Sequence, residues 1–189
     1  MNFPNTYTYL DIVSPILGEY SLVPIRYKDR IPIMKWRNEQ MYHLRQAKPL
    51  TVSDQDDYFQ NVVSLLFAEE KPKQILFSFL KKGKCVGYGG LVHISWEDKN
   101  CELSFIMDTE LEQEEFHCNW SIYLKLIEQI AFEQIGLHRI YVYAFDLRPH
   151  LYEVLENNGY IREARLKDHK TIQGKFVDVV ILGKLETFT

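Results

Sequence analysis

Between Ile75 and Met107 the chain passes through three apolar stretches of strand length with very little between them. Ile75–Leu80 is the first, and KKGK (Lys81–Lys84) forms a hairpin loop around Gly83. Cys85–Ile94 is the second, WEDKN (Trp96–Asn100) turns the chain, and Cys101–Met107 is the third. A loop as short as the first joins strands that pair side by side. Gly87, Gly89 and Gly90 lie inside the second stretch, where glycine marks a bulge or a close backbone approach. Three strands in a row form a surface that something else must cover.

The flanking segments supply that cover. Tyr20–Arg26 alternates apolar and polar residues as a strand, and Pro24 suits an edge. Asp29 and Pro32 then open a helix that carries IMKWRNEQMYHL, broken at Lys48–Leu50. Ser53 and Asp56 resemble a capping box, followed at helical spacing by Tyr58, Phe59, Val62, Val63, Leu66 and Phe67. After the three strands, a helix from Ile122 presents Tyr123, Leu124, Ile127, Ile130 and Ala131 on one face. Arg139–Phe145 reads as a strand, Leu151–Leu155 as a short helix stopped by Gly159, and GYIREARLKDH and KFVDVVILGKL as two strands turning at Gln173–Gly174. The order is strand, two helices, three strands, helix, strand, helix, two strands. It predicts an α/β fold with a mixed central sheet flanked by helices. Residues 1–189 are expected to form a single domain, with 1–19 as an irregular segment wrapping it.

The totals exclude several function classes. Net charge is −4, which offers no basic footprint for nucleic acid. No apolar run approaches the ~20 residues of a membrane span, and MNFPNTYTYL has neither a charged region nor an apolar core of a leader. Cys85, Cys101 and Cys118 match no metal spacing and cannot all pair, which favours a reducing compartment. The expected setting is the cytoplasm, with no metal and no membrane partner.

Several segments together resemble the GNAT acyltransferase superfamily, the acetyl-coenzyme-A-dependent N-acetyltransferases. AFEQIGLHRI (Ala131–Ile140) resembles the end of that family's central helix and its next strand. LENNGYIREARLKDH (Leu155–His169) resembles its E-K-x-G-F-x-x-E-G-x-x-R segment, and GKFVDVVILGKL (Gly174–Leu185) its closing strand. WRN (Trp36–Asn38) is similar to the first helix of two branches, which acetylate ribosomal-protein N-termini and nucleotide-linked amino sugars. The resemblance spans roughly Tyr20–Leu185. It implies a GNAT-like sheet in which Cys101–Met107 splays from its neighbour at a bulge. The acyl-pantetheine arm would lie in the opening, held by backbone groups of Phe105, Ile106 and Met107 as if by an added strand.

One family feature is missing. The pyrophosphate loop Q/R-x-x-G-x-G/A, counted back from Ala131–Phe132, puts its small residues at Cys118 and Trp120 and its basic or amide residue at Glu115. Asp108, Glu110, Glu112, Glu114 and Glu115 crowd acid just upstream. A helix start attracts an anion through unpaired N–H groups, and needs access rather than glycine itself. One reading keeps acetyl-CoA as co-substrate, with Cys118, Asn119, Trp120 and Ser121 as its backbone-binding stretch, Asn119 as cap and His117 adding positive character. The alternative is a catalytically silent GNAT-like binding or assembly module.

The resemblance also implies where chemistry would sit. Glu102, on the splayed strand, is the candidate base, with His93 a second choice. The family's acid tyrosine falls on Leu155 and its asparagine on Arg148, so Tyr152, one turn earlier, is the substitute acid. Trp36, Arg37 and Asn38 are expected to line the acceptor pocket. His43, Arg45 and Lys48 form a modest basic stretch consistent with a phosphorylated acceptor. The expected reaction is direct attack by a primary amine on acetyl-CoA in a ternary complex. The acceptor, a protein N-terminus or an amino sugar, stays open, and so does a homodimer.

Overall fold

A computed structural model of the chain describes residues 2–186. Residue 1 and residues 187–189, which the single-domain expectation includes, lie outside the described residues. The elements run β1 (Ile16–Leu17), β2 (Tyr20–Pro24), α1 (Arg30–Glu39), α2 (Val52–Tyr58), α3 (Ser64–Leu66), β3 (Gln74–Lys81), β4 (Lys84–Ser95), β5 (Asn100–Met107), α4 (Glu112–Glu128), β6 (Arg139–Phe145), α5 (Pro149–Asn157), β7 (Ile161–Ile172) and β8 (Lys175–Leu185). A π-helical turn, Phe59–Val63, joins α2 to α3, and another, Gln129–Gln134, continues α4. The strands form one eight-stranded sheet in the order β1-β2-β3-β4-β5-β6-β8-β7. Its neighbours are antiparallel except β5 and β6, which are parallel. The mixed α/β architecture is the one the sequence predicts.

Turn chemistry sets the two hairpins. Lys82 and Gly83 (φ 50° and 77°) join β3 to β4, and Gln173 and Gly174 (φ 49° and 76°) join β7 to β8. Two residues at positive φ make the turn whose twist matches paired strands. In β4 the glycines mark close approach. A Cβ at Gly89 would sit 2.1 Å from the Ser104 carbonyl oxygen, and one at Gly90 2.0 Å from that of Ile75. Larger side chains there would push β3 and β5 away.

The core lies between the sheet and its helices. Tyr123, Leu124, Ile127, Ile130 and Ala131 are all buried, as the helical spacing predicts, and Tyr123 stacks on Phe105 at 3.9 Å. The N-terminal segment is irregular apart from β1 and is tied down by Tyr7. Its buried hydroxyl donates to the Leu76 carbonyl and accepts from the Leu76 amide, both at 2.8 Å.

Three local expectations need correction. The capping box of α2 is Thr51 with Asp54, not Ser53 with Asp56; Asp56 instead pairs with Arg30. Asp29 caps nothing and holds Arg26 at 2.6 Å. The largest correction concerns α4, which starts at Glu112 rather than Ile122. Asp108 accepts from the Glu110 amide at 3.2 Å to start a 3₁₀ turn over Thr109–Leu111, and Glu112, Glu114 and Glu115 fill the first turn of the helix. Acids in a first turn favour the positive end of the helix dipole. The run that reads as hostile to an anion is a helix-start signal.

Candidate active site

The sheet opens between its two parallel strands. β5 and β6 pair only at Asn100–Arg139, Cys101–Ile140 and Glu102–Tyr141. From Leu103 onward β5 has no partner on that side, so every second residue turns an amide and a carbonyl into the gap. Gln40 takes one of these by donating to the Met107 carbonyl at 2.8 Å. The register irregularity that accompanies the opening lies in β4, not β5: His93 and Ile94, between the paired Val92 and Ser95, face the single residue Cys101, and His93 takes φ 52°. An extra residue bends the strand and re-aims its side chains.

The gap is a cleft of about 430 Å³. Glu102, Ser104, Phe105 and Ile106 form one wall and Val142 to Phe145 the other, with Trp120, Arg148 and Leu151 behind. Arg37, His43, Leu44 and Arg45 close it from the α1–α2 side, with Lys73, Gln74, Val92 and His93 along the rim. Trp120 is buried and meets the Phe105 ring edge-on at 4.9 Å, so the indole forms a wall of the cleft and leaves its volume open.

Two ion pairs mark its ends. At the closed end, one Arg45 nitrogen donates to both Glu102 oxygens, at 2.8 and 2.9 Å, while another lies 3.2 Å from the His93 ring. Arg45 also stacks over Tyr143 at 4.4 Å. At the open end, Arg148 pairs with Glu112 in the first turn of α4. The same guanidinium donates to His43 at 3.1 Å, and its buried Nε has no acceptor among the described residues. Burial, then the charge of Arg148, pushes the His43 imidazolium down to about 3, so this ring is neutral. No side chain caps the start of α4.

Glu102, Phe105, Ile106, Trp120 and Arg37 therefore meet at one cleft. His93, His43 and Arg45 line it as well, and the remaining predicted site residues are placed otherwise. Cys118, Asn119, Trp120 and Ser121 lie well inside α4, where backbone amides bond to carbonyls four residues earlier, so they cannot form a backbone anion site. The Met107 carbonyl faces the gap but is already taken by Gln40, and Trp36 is core. Asn38 spends its side chain on the loop: its amide donates to the Leu50 carbonyl and its oxygen accepts from the Leu50 amide, both at 2.8 Å. Tyr152 is buried with its hydroxyl donating to Asp146 at 3.0 Å, which, after burial itself, raises its ionisation. It faces away from the cleft as an acid. Cys85 and Cys101 are buried thiols pushed up to about 12, in keeping with core residues.

Sequence reasoning passed over Tyr143, which reads as one aromatic in the strand RIYVYAF; only the parting of β5 and β6 brings it to the cleft. Arg148 shows in the sequence only as a departure from the family asparagine. Among the described residues no group of His, Cys, Asp and Glu is arranged to hold a metal ion, and no helix is long and apolar enough to cross a membrane.

A mixed sheet thus parts between parallel strands, with a helix start at the open end of the gap and a carboxylate at its closed end. Residues 22–181 match the acetyltransferase (GNAT) domain, and the chain belongs to that family of acetyltransferases. Comparison with curated proteins returns no match. Among solved structures, spermidine N-acetyltransferase from Vibrio cholerae, in complex with CoA and spermine, superimposes with a TM-score of 0.77 at 16% identity, over 88% of this chain and 95% of that one. Ribosomal-protein-S5-alanine acetyltransferase from Vibrio fischeri superimposes with a TM-score of 0.71 at 18% identity, over 92% and 97%. A dodecameric structure of the Vibrio cholerae spermidine enzyme gives 0.72 at 16%, over 88% and 94%.

Proposed function

We propose that this protein transfers an acetyl group from acetyl-CoA to a primary amine, by direct attack while both substrates are bound. The observation that carries the reading is the edge of β5 beyond Glu102, which lacks a strand partner and faces a cleft with a carboxylate at its apex. When bound, acetyl-CoA supplies the activated acyl group as a thioester. Its extended pantetheine arm suits an unpaired strand edge near Phe105 and Ile106, which offers alternating donors and acceptors.

The residues at the open end fit the cofactor's pyrophosphate despite the absent glycines. The start of α4 has no side-chain cap, although the Glu112 amide already donates to the Thr109 carbonyl, and Arg148 carries a buried N–H with no acceptor among the described residues. Both are groups that gain from an anion. The expectation for Cys118–Ser121 thus moves to the first turn of α4 and to Arg148.

At the closed end Glu102 takes a proton from the acceptor's ammonium, freeing the neutral amine to attack the thioester. It is the carboxylate that lines the cleft, and His93, 3.9 Å away and mostly exposed, lies between it and solvent. Arg45 holds the carboxylate in position. Tyr143, whose phenol burial raises, stays protonated at neutral pH and is the cleft's proton donor for the departing thiolate. The contribution of the fold is proximity and orientation. In steady-state assays with acetyl-CoA and a primary-amine acceptor, Glu102→Gln is expected to lower kcat by about 10²–10⁴-fold, the range of general base catalysis, while CoA binding persists. Unchanged turnover would remove Glu102 from this role. The polyamine, protein N-terminus and amino-sugar classes all present the required amine.

A further inference from the structure

The α1–α2 side of the cleft carries cations without counter-ions. Four basic side chains line the cleft: Arg37, Arg45, Lys73 and Arg148. Arg45 is neutralised by Glu102 and Arg148 by Glu112. Among the described residues, Arg37 and Lys73 form no ion pair. Lys73 is exposed, so its charge is solvated, but Arg37 is half-buried.

Arg37 is held by neutral acceptors rather than by a carboxylate. Its Nε donates to Gln46 at 3.0 Å and one terminal nitrogen to the Tyr88 hydroxyl at 2.5 Å. That hydroxyl is buried and, with its oxygen taken by Arg37, has no acceptor for its own proton among the described residues. Gln74, on the rim, donates to the Tyr58 hydroxyl at 3.4 Å, and Tyr58 is exposed, so its proton is free to bond solvent. A guanidinium that rests on a hydroxyl and an ammonium thus line the cleft, neither with a carboxylate partner among the described residues. A half-buried charge gains when a counter-ion arrives, and a planar guanidinium is suited to carboxylate or phosphate oxygens.

We propose that Arg37, with Tyr88 and Lys73, forms an anion subsite, so that the acceptor carries a carboxylate or phosphate as well as the amine that is acetylated. Calling the ligand an acceptor rests on the acetyl-transfer reading above; the anion subsite itself does not. The arrangement separates the two charges of such a molecule. Its ammonium meets the cleft's one carboxylate, Glu102, and its anion meets Arg37 on the side nearer Ile106, the β5 residue paired with Tyr88. A polycation such as a polyamine would bring further positive charge to a wall that already carries two unpaired cations. The sequence places Arg37 on a helix but shows neither the missing carboxylate nor the hydroxyl beneath it.

The test uses matched pairs of amines on the full chain with CoA bound: glucosamine 6-phosphate against glucosamine, and an alanyl dipeptide against its amide, with spermidine as the polycation. Calorimetric titration reads binding, and acetyl transfer from acetyl-CoA is measured with the same compounds. At least one anionic member is expected to bind ten-fold or more tightly than its uncharged twin. The pair that discriminates tells phosphate from carboxylate. Arg37→Gln is expected to remove the discrimination, and Lys73→Gln, at an exposed position, to reduce it even if the first variant folds poorly. Equal binding of both twins in each pair, tighter binding of spermidine, or no binding of any of them would overturn the subsite. Selective binding through Arg37 with no acetylation of any compound would leave the subsite standing and overturn acetyl transfer instead.

Discussion

The two ion pairs of the cleft involve the same chemistry in different surroundings. Arg148 and Glu112 keep 5% and 15% of their side-chain surface, whereas Arg45 and Glu102 keep 42% and 12%. The carboxylates are alike and the arginines differ: removing Glu112 strands the buried Arg148, whereas removing the exposed Arg45 uncovers Glu102 to water. The first pair is therefore a structural tie between the starts of α4 and α5 that also stores an unused donor. The second can loosen and re-form as a substrate comes and goes. Burial, rather than the identity of the charges, sets which end of the cleft is rigid.

The largest effect that would break this contrast is on stability. Glu112→Gln is expected to cost about 3–5 kcal/mol, the range for stranding a buried charge, whereas Arg45→Met should cost no more than about 1 kcal/mol, the range for exposed pairs. Urea denaturation of both variants measures the difference, and equal losses would refute the contrast. The double variant Glu112→Gln/Arg148→Met should recover much of the loss, since no charge is left behind.

A smaller effect separates the open end from the closed end by ligand. CoA at a hundred times its Kd should stabilise the wild-type chain by roughly 2.7 kcal/mol in thermal melts. Arg148→Met should lose most of that shift, and Arg45→Met should keep it. The reverse pattern would place the pyrophosphate elsewhere.

The smallest effect is the pH response of the open end. His43 is held well below its ordinary range, to about 3, by burial first and then by Arg148. A depressed pKa means that the unfolded chain binds the proton more readily. The contribution of neutral His43 is therefore complete above about 6.5, the unperturbed value, and is lost as pH falls through that value towards 3. Stability measured across this window should fall less steeply in His43→Gln than in the wild type. Identical slopes would mean that this ring does not titrate as described.

Much of this molecule is legible before any coordinates. The β3–β4–β5 succession, the glycines at the close approach, the buried face of Tyr123, Leu124 and Ile127, and the hairpin at Gln173–Gly174 all follow from local spacing and turn chemistry. Glu102, Phe105, Ile106 and Arg37 were singled out and do meet at the cleft. The true start of α4 is written in Asp108 and three first-turn glutamates, an ordinary helix-start signal that the family's glycine pattern does not contain. Tyr152 and Asn38 have the right chemistry but spend it on Asp146 and on Leu50, and partner choice of that kind is not written in a residue's neighbours along the chain.

The periodicity of the chain alone determined the class of fold and the order of its elements, because backbone geometry and apolar burial act over a few residues at a time. The tertiary structure alone decided which charges are neutralised. Arg148 finds Glu112, Arg45 finds Glu102, and Arg37 finds only hydroxyl and amide groups, because each pairing joins residues that approach only once the sheet has parted and its helices have packed.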